Sequence, residues 1–163
     1  MVLAKLTPGM KTANSEAMKH NEEPIVVEQM MDATAEAVWD AITQVDQMRR
    51  WYFDNIPSFK PEVGFETRFV IHNEDRKFPH VWTVTDVVPM KLISYDWRYE
   101  GYAGDSFVTF ELSSHENLTK VRLTHQVRES FTADIPEFTR ESGVAGWKYF
   151  INDRLRAFLK ADT

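Results

Sequence analysis

Residues 143–160, GVAGWKYFINDRLRAFLK, set Val144, Trp147, Ile151, Leu155 and Phe158 three or four positions apart. At about 100° per residue these fall on one stripe of an α-helix, with Phe150 and Leu159 at its edges. Tyr149, Asn152, Asp153, Arg156 and Lys160 fall largely on the other side. An isolated helix of this length is marginal in water, so its apolar stripe needs a cover. The chain ahead of it supplies one. Phe65, Thr67, Phe69 and Ile71 alternate with Glu66, Arg68, Val70 and His72. The same alternation places Ile93, Tyr95, Trp97 and Tyr99 on one face, then Val108, Phe110 and Leu112, then Val121, Leu123, His125 and Val127. Residues 80–88 are β-branched and strand-like. Consecutive strands with one apolar and one wet face predict an antiparallel meander with one buried side. The expected class is α+β: a curved antiparallel sheet wrapped around a long C-terminal helix.

The remaining segments fit around that frame. Residues 24–31, PIVVEQMM, read as a first strand, with Pro24 at its start where no ladder N–H is lost. Thr34 is placed to cap a helix over 35–43, with Glu36 in its first turn. Asp46 is the expected cap of a second short helix over 47–51, followed by the aromatic knot Trp51, Tyr52 and Phe53. Residues 73–79, 101–105 and 113–118 read as turns. Pro136 suits a helical N1 position and opens a first helical piece over 136–142. Gly143 and Gly146 mark a bend or a close approach of the helix backbone to a strand. Residues 1–23 are polar and show no sustained period. They read as a flexible arm, ahead of one domain over 24–163, and deletion of residues 1–21 is expected to change stability little.

Charge and composition narrow the function. The net charge is -6, which argues against nucleic acid, since phosphate binding needs a cationic face. Cysteine is absent, which removes disulfides, thiolate metal sites and a cysteine nucleophile. No apolar run approaches the ~20 residues of a membrane span. Residues 1–23 contain no apolar stretch of the kind a secretory signal needs, so a cytoplasmic location is expected.

Five stretches then carry a resemblance: PIVVEQMMDATAEAVWDAI, FKPEVGFETRF, VWTVTDVVPMKLISYDW, FVTFELSSHENLTKVRLTHQ and ESFTADIPEFTRESGVAGWKYFINDRLRAFL. Together they resemble the Hsp90-ATPase-activator-homologue-like proteins of the START-like (Bet v 1-like, helix-grip) superfamily. The resemblance covers residues 24–161 and implies a helix-grip fold with two short helices after the first strand. For the superfamily it implies lipid and sterol carriers, polyketide cyclases, hormone receptors and co-chaperone modules, among which fold does not choose. It also implies a further N-terminal domain in true Hsp90 activators, and residues 1–23 are shorter than such a domain.

For chemistry, His125 is the best single candidate. It shares a strand face with Val121, Leu123 and Val127, so it points at the helix, neutral near pH 7 and with one ring nitrogen open to a ligand. The plain alternative is a core histidine bonded to a neighbour. His80 and His72 are expected at the surface. No HExxH, GxSxG or phosphate-cradling glycine loop is present, so neither a metal site nor a catalytic residue is assigned and no cofactor is expected. Lys148 and Arg154 border the helix stripe, with their stems expected to run out to solvent. The aromatic set is the richer signal. Phe69, Trp82, Tyr95, Trp97, Phe110, Trp147 and Phe150 are expected to meet inside a grip, either as the wall of a pocket or as a plain core. Thr67, Tyr95, Tyr99 and His125 add polar tips to that apolar wall, as a site that orients a ligand does. The assigned ligand-binding set is Phe69, Trp82, Tyr95, Trp97, Phe110, His125, Trp147 and Ile151. The expected function is non-catalytic binding of a small hydrophobic or amphipathic molecule. The alternatives are a co-chaperone-like module, partnered by a chaperone or other protein, and a cyclase-like enzyme centred on His125 with Tyr95 or Tyr99.

Overall fold

The computed structural model describes residues 16–161, and its sheet follows the sequence alternation closely. Six strands form one antiparallel sheet: β1 Ile25–Met31, β2 Glu66–Asn73, β3 Arg76–Val88, β4 Leu92–Tyr99, β5 Asp105–His115 and β6 Leu118–Glu129. Their spatial order is β1-β6-β5-β4-β3-β2, so five strands run as a meander and β1 closes the far edge against β6. Two short helices, α1 Ala35–Thr43 and α2 Val45–Trp51, leave the sheet after β1. Thr34 caps α1 by accepting from the Ala37 N–H. The cap position of α2 is Gln44, not Asp46, and it makes no side-chain bond; Asp46 lies in the first turn.

The hairpin between β2 and β3 is tighter than the sequence suggests. Strand β3 begins at Arg76 and runs through Pro79, where a turn over 73–79 was expected. The Pro79 carbonyl accepts from the Glu100 N–H, just beyond the end of β4. On a strand the N–H and C=O of one residue point to the same side. The missing proline N–H therefore faces the Glu100 end of β4 and not β2, so the β2–β3 ladder loses no bond.

The C-terminal helix runs as α3 Arg140–Lys148, a π-helical stretch Tyr149–Leu155 and α4 Arg156–Ala161, with helical backbone at each junction. Thr139 caps it by accepting from the Ser142 N–H. The expected first piece over 136–142 splits at Thr139: Pro136–Phe138 is one 3-10 turn, and 140–142 open α3. Trp147, Ile151 and Leu155 are fully buried, while Val144 is partly buried against the core. Gly143 and Gly146 are buried on the sheet side, and α3 lies against β1. Gly104, at φ +119°, lets the chain pass Phe131, whose ring carbon Cδ1 would lie 2.4 Å from an added Cβ.

The arm needs a correction. Residues 1–15 lie outside the described residues, but residues 16–23 pack on the domain. Met18 is only 2% exposed; its N–H donates to the Phe138 carbonyl, and its carbonyl accepts from the Phe131 N–H. Ala17 bridges to Thr139. One apolar residue thus fixes this stretch over a second aromatic set that includes Phe78, Tyr99, Phe131 and Phe138.

Candidate site inside the grip

Tyr52 is the hub of the interior. It is the residue immediately after α2, and its backbone leaves the helical region there. Three contacts fix its place. Trp51 Nε1 donates to the Ala41 carbonyl at 2.7 Å and ties α2 to α1. Arg154 of the C-terminal helix donates to the carbonyls of Arg50 at 2.8 Å and Trp51 at 3.4 Å. A guanidinium at a helix C-terminus satisfies orphan carbonyls and complements the dipole, and the exposed Arg154 side chain lies over the end of α2 in this way. The Tyr52 ring then stacks on Trp51 at 4.5 Å and on Trp82 at 5.3 Å. It meets Phe150 edge-on at 5.0 Å.

The expected wall assembles around this hub. Trp82 has Phe69, Tyr95 and Trp97 each at 4.9 Å between ring centroids. Phe110 lies 6.2 Å from Tyr95 and 6.1 Å from Trp147, and Trp97 is 5.5 Å from Trp147. Ile151 is fully buried in the same cluster. The sheet alternation and the helix stripe thus bring together all eight assigned residues. Sequence reasoning did not place Tyr52 or Phe53 in this wall, and it read Thr67 only as a polar tip of it. The run Trp51-Tyr52-Phe53 was the visible signal, but nothing periodic said that it turns into the grip.

His125 is buried, as its strand face requires, but it has no open nitrogen. Trp147 Nε1 donates to its Nδ1 at 3.0 Å, and its Nε2 lies 2.8 Å from Ser106 Oγ. Since Nδ1 accepts, the proton sits on Nε2 and is given to Ser106, whose hydroxyl donates to the Trp97 carbonyl at 2.7 Å. Burial holds the imidazole pKa well below its ordinary value. The expectation of a nitrogen facing a ligand is therefore corrected: His125 is a bonded core histidine. His80 also departs from expectation. It is fully buried, its Nδ1 lies 2.8 Å from the Phe78 carbonyl, and its ring stacks on Phe69 at 4.8 Å. Because β3 continues through Pro79, His80 falls on the inner face with Phe78 and Trp82. His72 is exposed, as read.

The β2–β3–β4 end of the grip is less complete. Tyr52 Oη and Tyr95 Oη share one hydrogen bond of 2.9 Å. Burial raises both phenol pKa values above the usual 10, so both stay protonated. Thr67 Oγ1 and Trp82 Nε1 are buried with no partner. Thr67 and Trp82 are directly paired across β2 and β3, with both side chains turned inward. Among the described residues no group of three or more His, Asp or Glu is placed to hold a metal ion, and no helix is long and apolar enough to cross a membrane.

These features can be set beside known proteins. The sequence matches the family described as "Activator of Hsp90 ATPase homolog 1-like protein" over residues 32–160. The chain belongs to that family. No curated protein matches it significantly. Among solved structures, protein MLL2253 from Mesorhizobium loti is 26% identical, with a TM-score of 0.68 over 86% of this chain and 99% of its own. The Aha1 dimer from Colwellia psychrerythraea, a solution structure, is 21% identical with a TM-score of 0.65, over 85% and 96% of the two chains. DynU16, a protein in the dynemicin biosynthetic locus, is 20% identical with a TM-score of 0.67, over 87% of this chain and 49% of its own. The last two share the fold with this family member. Its helix-grip architecture, with a long C-terminal helix and two short helices after the first strand, is that of the START-like superfamily.

Proposed function

We propose that this family member binds a small hydrophobic or amphipathic molecule between the sheet and the C-terminal helix, without converting it. One observation carries the reading: two buried polar atoms, Thr67 Oγ1 and Trp82 Nε1, are unpartnered on directly paired residues of an otherwise aromatic wall. Each such group costs about 1–3 kcal/mol while it stays unpaired, a cost that a bound molecule relieves. The reading is non-catalytic because the one histidine assigned a chemical role spends both nitrogens on Trp147 and Ser106. Native mass spectrometry of the purified protein, followed by titration with a fluorescent hydrophobic probe, tests it. The expected result is a co-purifying small molecule or saturable one-to-one probe binding that is weakened by Trp82→Phe. Probe binding that is unsaturable, or that ignores Trp82, sinks the reading.

A second reading, a protein-interaction module of the co-chaperone kind, draws on the opposite face of the sheet. A groove of about 390 Å³ there is lined by Val88, Leu92, Lys91, Lys120, Arg122, Glu28 and Glu111, among others. Val88 is exposed beside it, as are Met90 and Leu118 in the adjoining hairpin ends. Loss of a chaperone's binding on Leu118→Asp, with the grip untouched, separates this reading from the first.

A further inference from the structure

We infer that the molecule held in the grip is uncharged and offers a carbonyl-type acceptor oxygen to Trp82 Nε1 and Thr67 Oγ1. This rests on the ligand-binding reading and adds the chemical class of the ligand. The argument is a count of hydrogens. An indole N–H only donates. Trp51, Trp97 and Trp147 each give theirs to a named acceptor, namely the Ala41 carbonyl, Tyr99 Oη and His125 Nδ1. Trp82, equally buried, gives its own to nothing. The hydroxyl of Thr67, opposite it across the β2–β3 pair, has no partner either. Directly opposed side chains on one sheet face stand with Cβ atoms roughly 5 Å apart, so the two groups belong to the same patch of the wall.

The neighbouring tyrosine pair tips the balance the same way. Tyr52 and Tyr95 carry two hydroxyl hydrogens but make one bond, to each other. Burial keeps both protonated, so one more O–H is unspent. This end of the grip is therefore rich in donors. A carbonyl oxygen has two lone pairs and can accept from two of these groups at once. An ammonium or amine brings further donors. A carboxylate would sit among Phe53, Phe69, Tyr95 and Trp97, rings that offer no counter-charge, and burying it there is costly. The ring-lined walls select a flat apolar body.

Entry runs through residues 52–65, which connect α2 to β2. Phe59 meets Tyr95 at 5.8 Å and Phe53 meets Trp82 at 5.9 Å; both rings sit on this connection rather than on the sheet. Arg49 holds it through the carbonyls of Ile56 and Pro57, and Asn55 through that of Val70. A ligand that takes the place of Phe59 lies against the Tyr52–Tyr95 pair and reaches toward Trp82.

The test compares 1-tetralone with tetralin, two bicyclic molecules of like shape that differ by one ketone oxygen. Both are titrated calorimetrically into the full chain and into a Phe59→Ala variant that opens the entry. In parallel the indole N–H signals are followed by nitrogen-15 NMR, with the Trp82 signal identified by its loss in Trp82→Phe. The expected result is that tetralone binds roughly ten-fold more tightly than tetralin. The Trp82 signal alone among the indoles shifts downfield, and only with tetralone. Thr67→Val and Trp82→Phe each reduce the preference several-fold, because they weaken tetralone more than tetralin. Equal affinity for the two molecules, or a Trp82 signal that does not move, overturns the acceptor inference while the ligand-binding reading stands. Binding of neither molecule to either form of the protein overturns both.

Discussion

At the middle of the sheet, Trp147, His125, Ser106 and the Trp97 carbonyl form a relay in which each hydrogen goes to one acceptor. At the β2–β3 end, Trp82, Thr67 and the Tyr52–Tyr95 pair hold more hydrogens than the fold gives them acceptors. Both regions are buried and aromatic, and the Trp82 and Trp97 ring centroids are 4.9 Å apart. Burial and ring packing therefore do not distinguish them; hydrogen-bond completion does. A satisfied buried network fixes one arrangement of helix on sheet, and loss of any member strands the others. An unsatisfied one adds nothing to stability until something arrives. The histidine relay is the clamp that closes the grip, and the Trp82 end is the part whose hydrogen bonding is left incomplete.

The largest effect should come from breaking the clamp. Trp147→Ala removes a fully buried indole and leaves His125 Nδ1 without its donor. Denaturant unfolding should show a loss of about 3–5 kcal/mol. A loss under about 1 kcal/mol would mean that the relay does not hold helix to sheet. Met18 gives the next largest effect. It is 2% exposed and bonded to both Phe131 and Phe138 through its backbone. Met18→Ala should cost about 2–3 kcal/mol, read as a fall of roughly 5–10 °C in Tm for a domain of this size. An unchanged Tm would restore the view of residues 16–23 as an arm that merely touches the domain.

What was legible in the sequence follows the same division. Alternation in β2, β4, β5 and β6 is readable because one face meets water, and it put His125 and Tyr95 on the inner face correctly. The helix stripe named Trp147, Ile151 and Leu155 for a like reason. What alternation does not carry is partner identity. His125 meets Ser106 and Trp147 across 19 and 22 residues of chain, so the use of its nitrogens is decided only when the strands and helix meet. His80 was misplaced because a proline beside it imitates a strand start. Met18 is a single apolar residue in a polar segment; it has no period, and only its pairing with Phe138 and Phe131 places it. Tyr52 is aimed by Arg154, more than a hundred positions away, which no local pattern records.

The relay can also be broken with acid, and the sign is fixed by the direction of the His125 shift. In the unfolded chain the imidazole titrates near its ordinary value of about 6.5. In the fold it titrates well below that, because burial disfavours the cation. A proton on Nδ1 would also face the Trp147 N–H donor to donor. Above pH ~6.5 both states are neutral and the contribution of His125 is complete. As pH falls from ~6.5 toward the folded pKa, the unfolded chain takes up a proton that the fold refuses, and stability drops by up to about 1.4 kcal/mol per pH unit. Below the folded pKa this loss is complete. Urea midpoints measured from pH 7.5 to 5 should show that decline in the natural protein and a flatter curve in His125→Gln. Parallel curves would take His125 out of the acid response.

The smallest effect has the opposite sign and bears most directly on the comparison. Thr67→Val keeps the shape of a 3% exposed side chain and removes a hydroxyl that has no partner. Replacing a bonded buried hydroxyl destabilises; replacing an unbonded one lifts a desolvation cost. The valine is also better suited to a strand interior. Without ligand, Thr67→Val should therefore raise stability by up to about 1 kcal/mol, seen as a higher urea midpoint at an unchanged slope. Ser106→Ala offers the control at the finished end: its hydroxyl links His125 Nε2 to the Trp97 carbonyl, so its removal should lower the midpoint. If both substitutions destabilise alike, the Thr67 hydroxyl is bonded in solution. The donor surplus would then lose its β2 member and rest on Trp82 and the tyrosine pair alone.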